Sequence, residues 1–139
     1  MLLPPCYARM RTFRKLKERP SLKSNASLPV SIYSCGDISE IIPDLIEIGV
    51  NMITPLQAEA MDLSFLKREY GKYLTFWGGI STQKTLPYGT PAEVRAEIRK
   101  TIALMGKGGG YILAPSHELQ GDVPLENILA FIDEAQHQR

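Results

Sequence analysis

The sequence predicts an α/β fold of four consecutive parallel βα units. From Leu28 onward, short β-branched or aromatic runs alternate with longer amphipathic runs that open on capping signals. Four strands that are each followed by a helix require parallel strands joined by right-handed crossovers.

The first unit pairs a strand over Leu28–Ser34 with a helix that Asp37 caps and Glu40 completes as a capping box. Pro43 restarts this helix and Gly49 ends it. The second has a strand over Val50–Thr54 and a helix over Leu63–Tyr70, with Asp62 as N-cap, Gly71 at C′, and Leu63, Leu66 and Tyr70 on the buried face. The third strand, Leu74–Trp77, leads through Gly78 and Gly79 to the best-marked helix. Thr90-Pro-Ala-Glu93 combines a capping box with proline at N1, and Val94, Ile98, Ile102 and Met105 recur at helical spacing. The fourth strand is Tyr111–Ala114, and Leu125, Ile128, Leu129 and Ile132 form the apolar stripe of the closing helix.

With 44% hydrophobic and 22% charged residues, the 139-residue chain has the composition of a globular domain, which argues against disorder along its whole length. No run reaches the roughly 18 apolar residues of a membrane span, and the first residues lack the basic-then-apolar order of a secretory signal. Cys6 and Cys35 do not form a disulfide framework. The expectation is a cytoplasmic protein without a membrane partner. The net charge of +1 hides an asymmetry, with +6 over residues 1–30 and −5 over the rest. Arg9, Arg11, Arg14, Lys15, Lys17 and Arg19 show no interleaved aromatic pattern and no known binding motif, so nucleic acid is not expected. Residues 1–27 read as a basic helix and linker remnant, and 28–139 as the folded domain.

A dinucleotide-binding sheet and a segment of a barrel both satisfy this topology. Against the first, Ser-Cys-Gly-Asp follows the first strand in place of G-x-G-x-x-G. The Lys107-Gly-Gly-Gly110 run precedes a strand and lacks the G-K-[ST] pattern, so it reads as a helix-to-strand turn.

Three blocks are specific: Ser34-Cys-Gly-Asp-Ile-Ser-Glu40, Thr75-Phe-Trp-Gly-Gly-Ile80, and Gly108-Gly-Gly-Tyr-Ile-Leu-Ala-Pro-Ser-His117 followed by Asp122-Val-Pro-Leu-Glu-Asn-Ile128. Over about residues 28–136 the chain resembles the C-terminal half of the uroporphyrinogen decarboxylase superfamily, which includes the porphyrin decarboxylase and corrinoid-linked methyltransferases. The resemblance implies about four of the eight units of a (β/α)₈ TIM barrel. It also implies that the arginines and the aspartate that hold the pyrrole chemistry in the decarboxylases belong to the other half, so none carries over to this chain. In the methyltransferase-like branch, a His-x-Cys pair after the strand equivalent to Val30–Ser34 binds zinc, with a further ligand from a later strand end. Here the pair reads Tyr33-Ser34-Cys35, and a neutral phenol of pKa near ~10 is a poor zinc ligand. Zinc is therefore expected weakly or not at all. In the methyltransferase reading a corrinoid is the partner substrate.

Cys35 and His117 follow strand ends, where a parallel barrel presents its catalytic groups. They are the candidate catalytic and metal-ligating residues. The ordinary alternatives are a buried inert thiol and a hydrogen-bonded loop histidine. Tyr33, Gln57, Gly78, Gly79 and Ser116 are the candidate substrate-binding positions. The glycines equally suit a tight turn, and Tyr33 and Trp77 equally suit core or pocket wall. His137, at the end of the closing helix, reads as a solvated cation on the helix dipole.

The functional expectation is a family fragment related to tetrapyrrole decarboxylation or corrinoid-linked methyl transfer, incomplete as a catalyst alone. The Ser-Cys-Gly and Ala-Pro-Ser-His blocks look more like the methyltransferase-like branch. The alternative is a non-catalytic half-barrel that assembles with itself or with a separately encoded N-terminal half. An unrelated small α/β binding module is the third class. Substrates expected from the resemblance are a tetrapyrrole, or a methyl-corrinoid and a thiol.

Overall fold

The computed structural model describes residues 28–137. The basic remnant expected over 1–27, and Cys6 within it, lie outside the described residues. Four strands form one sheet in the order β1 (Ser31–Tyr33), β2 (Met52–Leu56), β3 (Thr75–Ile80) and β4 (Tyr111–Pro115), and all three pairings are parallel. Between and after them lie α1 (Ile42–Glu47), α2 (Leu63–Tyr70), α3 (Thr85–Tyr88), α4 (Pro91–Met105) and α5 (Leu125–Gln136).

Register explains the core. Ile32, Ile53, Phe76 and Tyr111 align across the sheet and face the helices. Ile53 and Phe76 are fully buried there with Ile42, Leu45, Leu66 and Met105, while Ile32 and Tyr111 pack against the same cluster. A second cluster under β4 joins Ile80, Leu86, Val94, Ile98 and Ala130. Because successive side chains alternate between faces, Tyr33, Trp77 and Ile112 fall on the other side of the sheet. No helix of the described residues covers that side, and the three are 64%, 43% and 40% exposed.

The helix starts follow local chemistry. Asp62 accepts from Phe65 N–H at 3.0 Å at the head of α2. At α4, Thr90 and Glu93 close the capping box in both directions, and those hydrogen bonds hold the Glu93 carboxyl below its ordinary pKa. The first unit departs from expectation. Asp37 accepts from Ser39 N–H at 2.9 Å in a tight local turn, a 3₁₀ turn spans Ser39–Ile41, and α1 starts one residue before Pro43. The Asp37–Glu40 capping box is therefore not formed; Asp37 satisfies the donor two residues on and so shapes a turn before any helix begins.

Two further corrections concern glycine and the last helix. Gly78 and Gly79 lie inside β3, not after it, and both are buried. A Cβ on Gly78 would stand 2.8 Å from Leu56 N, and one on Gly79 would stand 3.1 Å from the Tyr111 hydroxyl. Absent side chains here permit close packing of β3 on β2 and on Tyr111. That hydroxyl donates to Gly78 O at 2.7 Å, and burial, with the Glu97 charge, pushes its pKa up. In α5 the expected stripe is largely outside: Leu125, Leu129 and Ile132 are exposed, and the buried face uses Asn127, Ala130 and Glu134. The reason is polar anchoring. Asn127 donates to Leu86 O and Gly89 O, and the buried Glu134 takes a two-pronged contact from Arg99 at 2.8 and 2.7 Å, so this side turns toward α3 and α4.

The Lys107–Gly110 run is the expected turn, with positive φ at Gly108, Gly109 and Gly110. His137 is exposed at the end of α5, its Nδ1 2.7 Å from Asp133 O. No helix of the described residues is long and apolar enough to cross a membrane.

Gly78→Ala forces φ +125° on a residue with a Cβ and drives that atom into the Leu56 backbone. It is expected to cost about 1–3 kcal/mol of stability, read as a lowered midpoint in urea unfolding. Unchanged unfolding would contradict the close β2–β3 approach.

Candidate functional site at the strand ends

Parallel pairing gathers the C-terminal ends of all four strands at one edge, and Cys35 and His117 meet there although 82 residues separate them. Cys35 follows β1 and its thiol is free and exposed. Its Sγ lies 3.5 Å from His117 Nε2, while the other ring nitrogen, Nδ1, lies 2.9 Å from the Tyr33 hydroxyl. The Tyr33 and His117 rings meet edge-on, with centroids 6.2 Å apart. Desolvation, with the charges of Cys35 and Glu118 nearby, holds the Tyr33 phenol above its ordinary pKa, so it stays protonated at neutral pH.

Two backbone anchors set this geometry. Gly36 N–H, next to Cys35, donates to Gln57 Oε1 at 2.6 Å, and Ser116 Oγ, next to His117, donates to Leu56 O at 2.8 Å. Gln57 and Ser116 are both buried. Their polar atoms are engaged with backbone and hold the site loops; Gly78 and Gly79 sit deeper, inside the sheet. Of the residues singled out from sequence, the structure thus brings Tyr33, Cys35 and His117 together as a surface cluster and sets the other four behind it.

His117 also lines a cleft of about 310 Å³, with Thr82, Gln83, Glu118, Gln120 and Asp122 around it. The lining residues carry two carboxylates and no lysine or arginine. Sequence reasoning passed over Glu118 and Asp122, although both fall in the loop that begins at His117. It also missed Ser81, just after β3. The Ser81 hydroxyl donates to Glu59, and its N–H donates to Glu97 Oε1 at 2.9 Å. No motif marks Ser81, Glu59 and Glu97; only the fold brings them together.

The zinc implied at Cys35 can be tested on these distances. A sulfur at about 2.3 Å and a nitrogen at about 2.0–2.1 Å from one tetrahedral ion stand roughly 3.5 Å apart. Cys35 Sγ and His117 Nε2 have that separation. Among the described residues no group of three or more His, Cys, Asp or Glu side chains is placed to hold a metal. The pair thus fits zinc as two of its donors, one fewer than the three protein ligands of catalytic sites. Tyr33 is not a third donor in this arrangement, because it meets the ring on the Nδ1 side.

The family model for uroporphyrinogen decarboxylase (URO-D) matches residues 6–138. The chain belongs to the uroporphyrinogen decarboxylase family. Uroporphyrinogen decarboxylases from Actinobacillus succinogenes and Psychromonas ingrahamii are each 30% identical over 73 residues, 52% of this chain and 20% of theirs. The match thus spans about a fifth of the length of these curated relatives. A methyltransferase from Methanosarcina mazei has the same fold, with a TM-score of 0.70 at 21% identity over 97% of this chain and 38% of that one. The four βα units are accordingly half of a TIM barrel, and the uncovered face that bears Tyr33, Trp77 and Ile112 corresponds to a barrel interior.

Ser116→Ala removes the hydrogen bond to the Leu56 carbonyl inside the protein. The expected loss is about 1–3 kcal/mol in chemical unfolding, together with a changed environment of the His117 ring in NMR spectra. Wild-type stability and an unmoved His117 signal would show that this anchor does not position the site.

Proposed function

We propose that this chain supplies the strand-end face of a URO-D-family barrel engaged in thiol-directed, corrinoid-linked methyl transfer, and that it is incomplete as a catalyst on its own. One observation carries the reading: Cys35 Sγ and His117 Nε2 face each other at 3.5 Å at the C-terminal edge of a parallel sheet. A soft sulfur donor beside an imidazole suits a thiophilic cation. Zinc, when bound, lowers the pKa of a substrate thiol and so supplies the thiolate. The chain's own residues do the rest. Cys35 and His117 provide two donors, Gln57 and Ser116 hold their loops, and the cleft beside His117 receives the substrate's polar end.

The charge of the cleft supports this branch over decarboxylation. On this half, a tetrapyrrole rich in carboxylates would approach Glu118 and Asp122 with no lysine or arginine among the lining residues to offset them. A neutral thiol meets no such repulsion.

Co²⁺, which stands in for zinc and absorbs visibly, tests the reading on the full chain. Titration is expected to produce a thiolate-to-metal charge-transfer band that is absent in Cys35→Ser and strongly weakened in His117→Ala. No band in the wild-type protein, or an equal band in Cys35→Ser, would overturn it.

A second reading concerns assembly and rests on the open sheet. β1 and β4 each have one unpaired edge among the described residues, and the face between them exposes Tyr33, Trp77 and Ile112. A partner half-barrel, or a second copy of this chain, would cover that face and close the strands at eight. Light scattering of the purified chain is expected to show a mass above that of the monomer; a sharp monomeric peak with a cooperative melt would sink this reading.

A further inference from the structure

We infer that the occupant of the open sheet face is a second copy of this chain, which closes a two-fold barrel by laying its β1 beside β4 and its β4 beside β1. The inference rests on the assembly reading above and names the partner.

Both margins of the sheet carry the groups that such a seam needs. At β1, Val30 O accepts from Met52 N–H at 3.2 Å and Ser34 N–H donates to Thr54 O at 2.9 Å. By the alternation of a parallel ladder, the backbone N–H and C=O of Ser31 and Tyr33 therefore point away from β2. At β4, Gly110 O accepts from Phe76 N–H at 3.0 Å and Ser116 N–H donates to Ile80 O at 2.8 Å, which turns the backbone groups of Tyr111 and Leu113 outward in the same way. The two open edges run in one direction and stand at opposite ends of the strand order. β4 of one copy can thus be followed by β1 of the next with every strand still parallel, and two copies reach the eight strands at which such a barrel closes. The contact is reciprocal, as a two-fold dimer requires.

Charge admits a copy as well. Tyr33, Met52, Thr54, Trp77, Ile112 and Ala114 point to the uncovered side by strand alternation, and none of them is charged. A copy brings the same neutral surface and buries no like charges against it. Because the two-fold axis runs along the strands, both C-terminal edges lie at one end. Two Tyr33–Cys35–His117 clusters then open on one mouth, and the partner's strand ends supply the wall that each cluster lacks.

The test uses the full chain. Light scattering is expected to give twice the mass of one chain and no larger species. Ile112→Asp places a carboxylate on the neutral face at an exposed position, so its mass is expected to fall to one chain while its circular dichroism matches wild type. Amide hydrogen exchange at Ser31, Tyr33, Tyr111 and Leu113 is expected to be about tenfold or more slower in the wild-type dimer than in this variant. Ser31→Pro removes an N–H that a free edge does not need and a paired edge does. It is expected to raise the concentration needed for dimerisation about tenfold, a result independent of how Ile112→Asp folds. A dimer whose four edge amides exchange as in the variant, and which Ser31→Pro leaves unchanged, would overturn the two-fold barrel and leave the covered face standing. Growth beyond two copies would do the same. A monomer without a cooperative melt would overturn the second copy as occupant and leave the face to a different half-barrel, whereas a sharp monomer with a cooperative melt would overturn both.

Discussion

The strand-end site hangs on two adjacent residues at the close of β2. The carbonyl of Leu56 receives Ser116 Oγ from beyond β4, and the side chain of Gln57 receives Gly36 N–H from beyond β1. One short stretch of backbone thereby fixes both loops, the one that carries Cys35 and the one that carries His117. To reach Leu56, Ser116 must span the intervening strand, and β3 allows this because Gly78 and Gly79 let the neighbouring backbone and the Tyr111 hydroxyl come close. Packing deep in the sheet is in this way converted into a 3.5 Å separation between Cys35 Sγ and His117 Nε2 at the surface.

Much of this was legible from the amino-acid order, and the misses have physical causes. Alternation of strand and helix patterns gave four parallel strands in order, and Asp62 and Thr90 mark helix starts that the structure keeps. Cys35 and His117 stood out because parallel strands present their C-terminal ends together, a rule that needs no knowledge of distance. Which backbone atoms Gln57 and Ser116 would meet lies beyond that rule, since both contacts join segments far apart in sequence. Gly78 and Gly79 read as the end of a strand because glycine lowers strand propensity; flanking strands on both sides overrode it. The stripe of α5 misled for another reason. Polar contacts of Asn127 and Glu134 decide which face turns toward α3 and α4, and an apolar pattern does not register them.

Family membership and the local site carry different kinds of information. The URO-D match covers residues 6–138, so the architecture is that of the family. The chemistry depends on individual side chains, because one barrel supports many reactions through its loops. Tyr33 illustrates the difference: the parallel strand belongs to the architecture, whereas the phenol at its end is an individual side chain that meets the His117 ring. The acidic lining beside His117 is likewise a matter of individual side chains, Glu118 and Asp122.

Trp77 has a consequence of its own. It is the single tryptophan of the sequence, and it sits in the middle of the uncovered face, paired across the sheet with Ile112. An indole half in water emits at longer wavelength than one enclosed by apolar side chains, so the intrinsic fluorescence of the chain reports whether this face is open to water or covered. The protein thus carries its own optical label on its uncovered sheet face, and any association at that face can be followed without an attached dye.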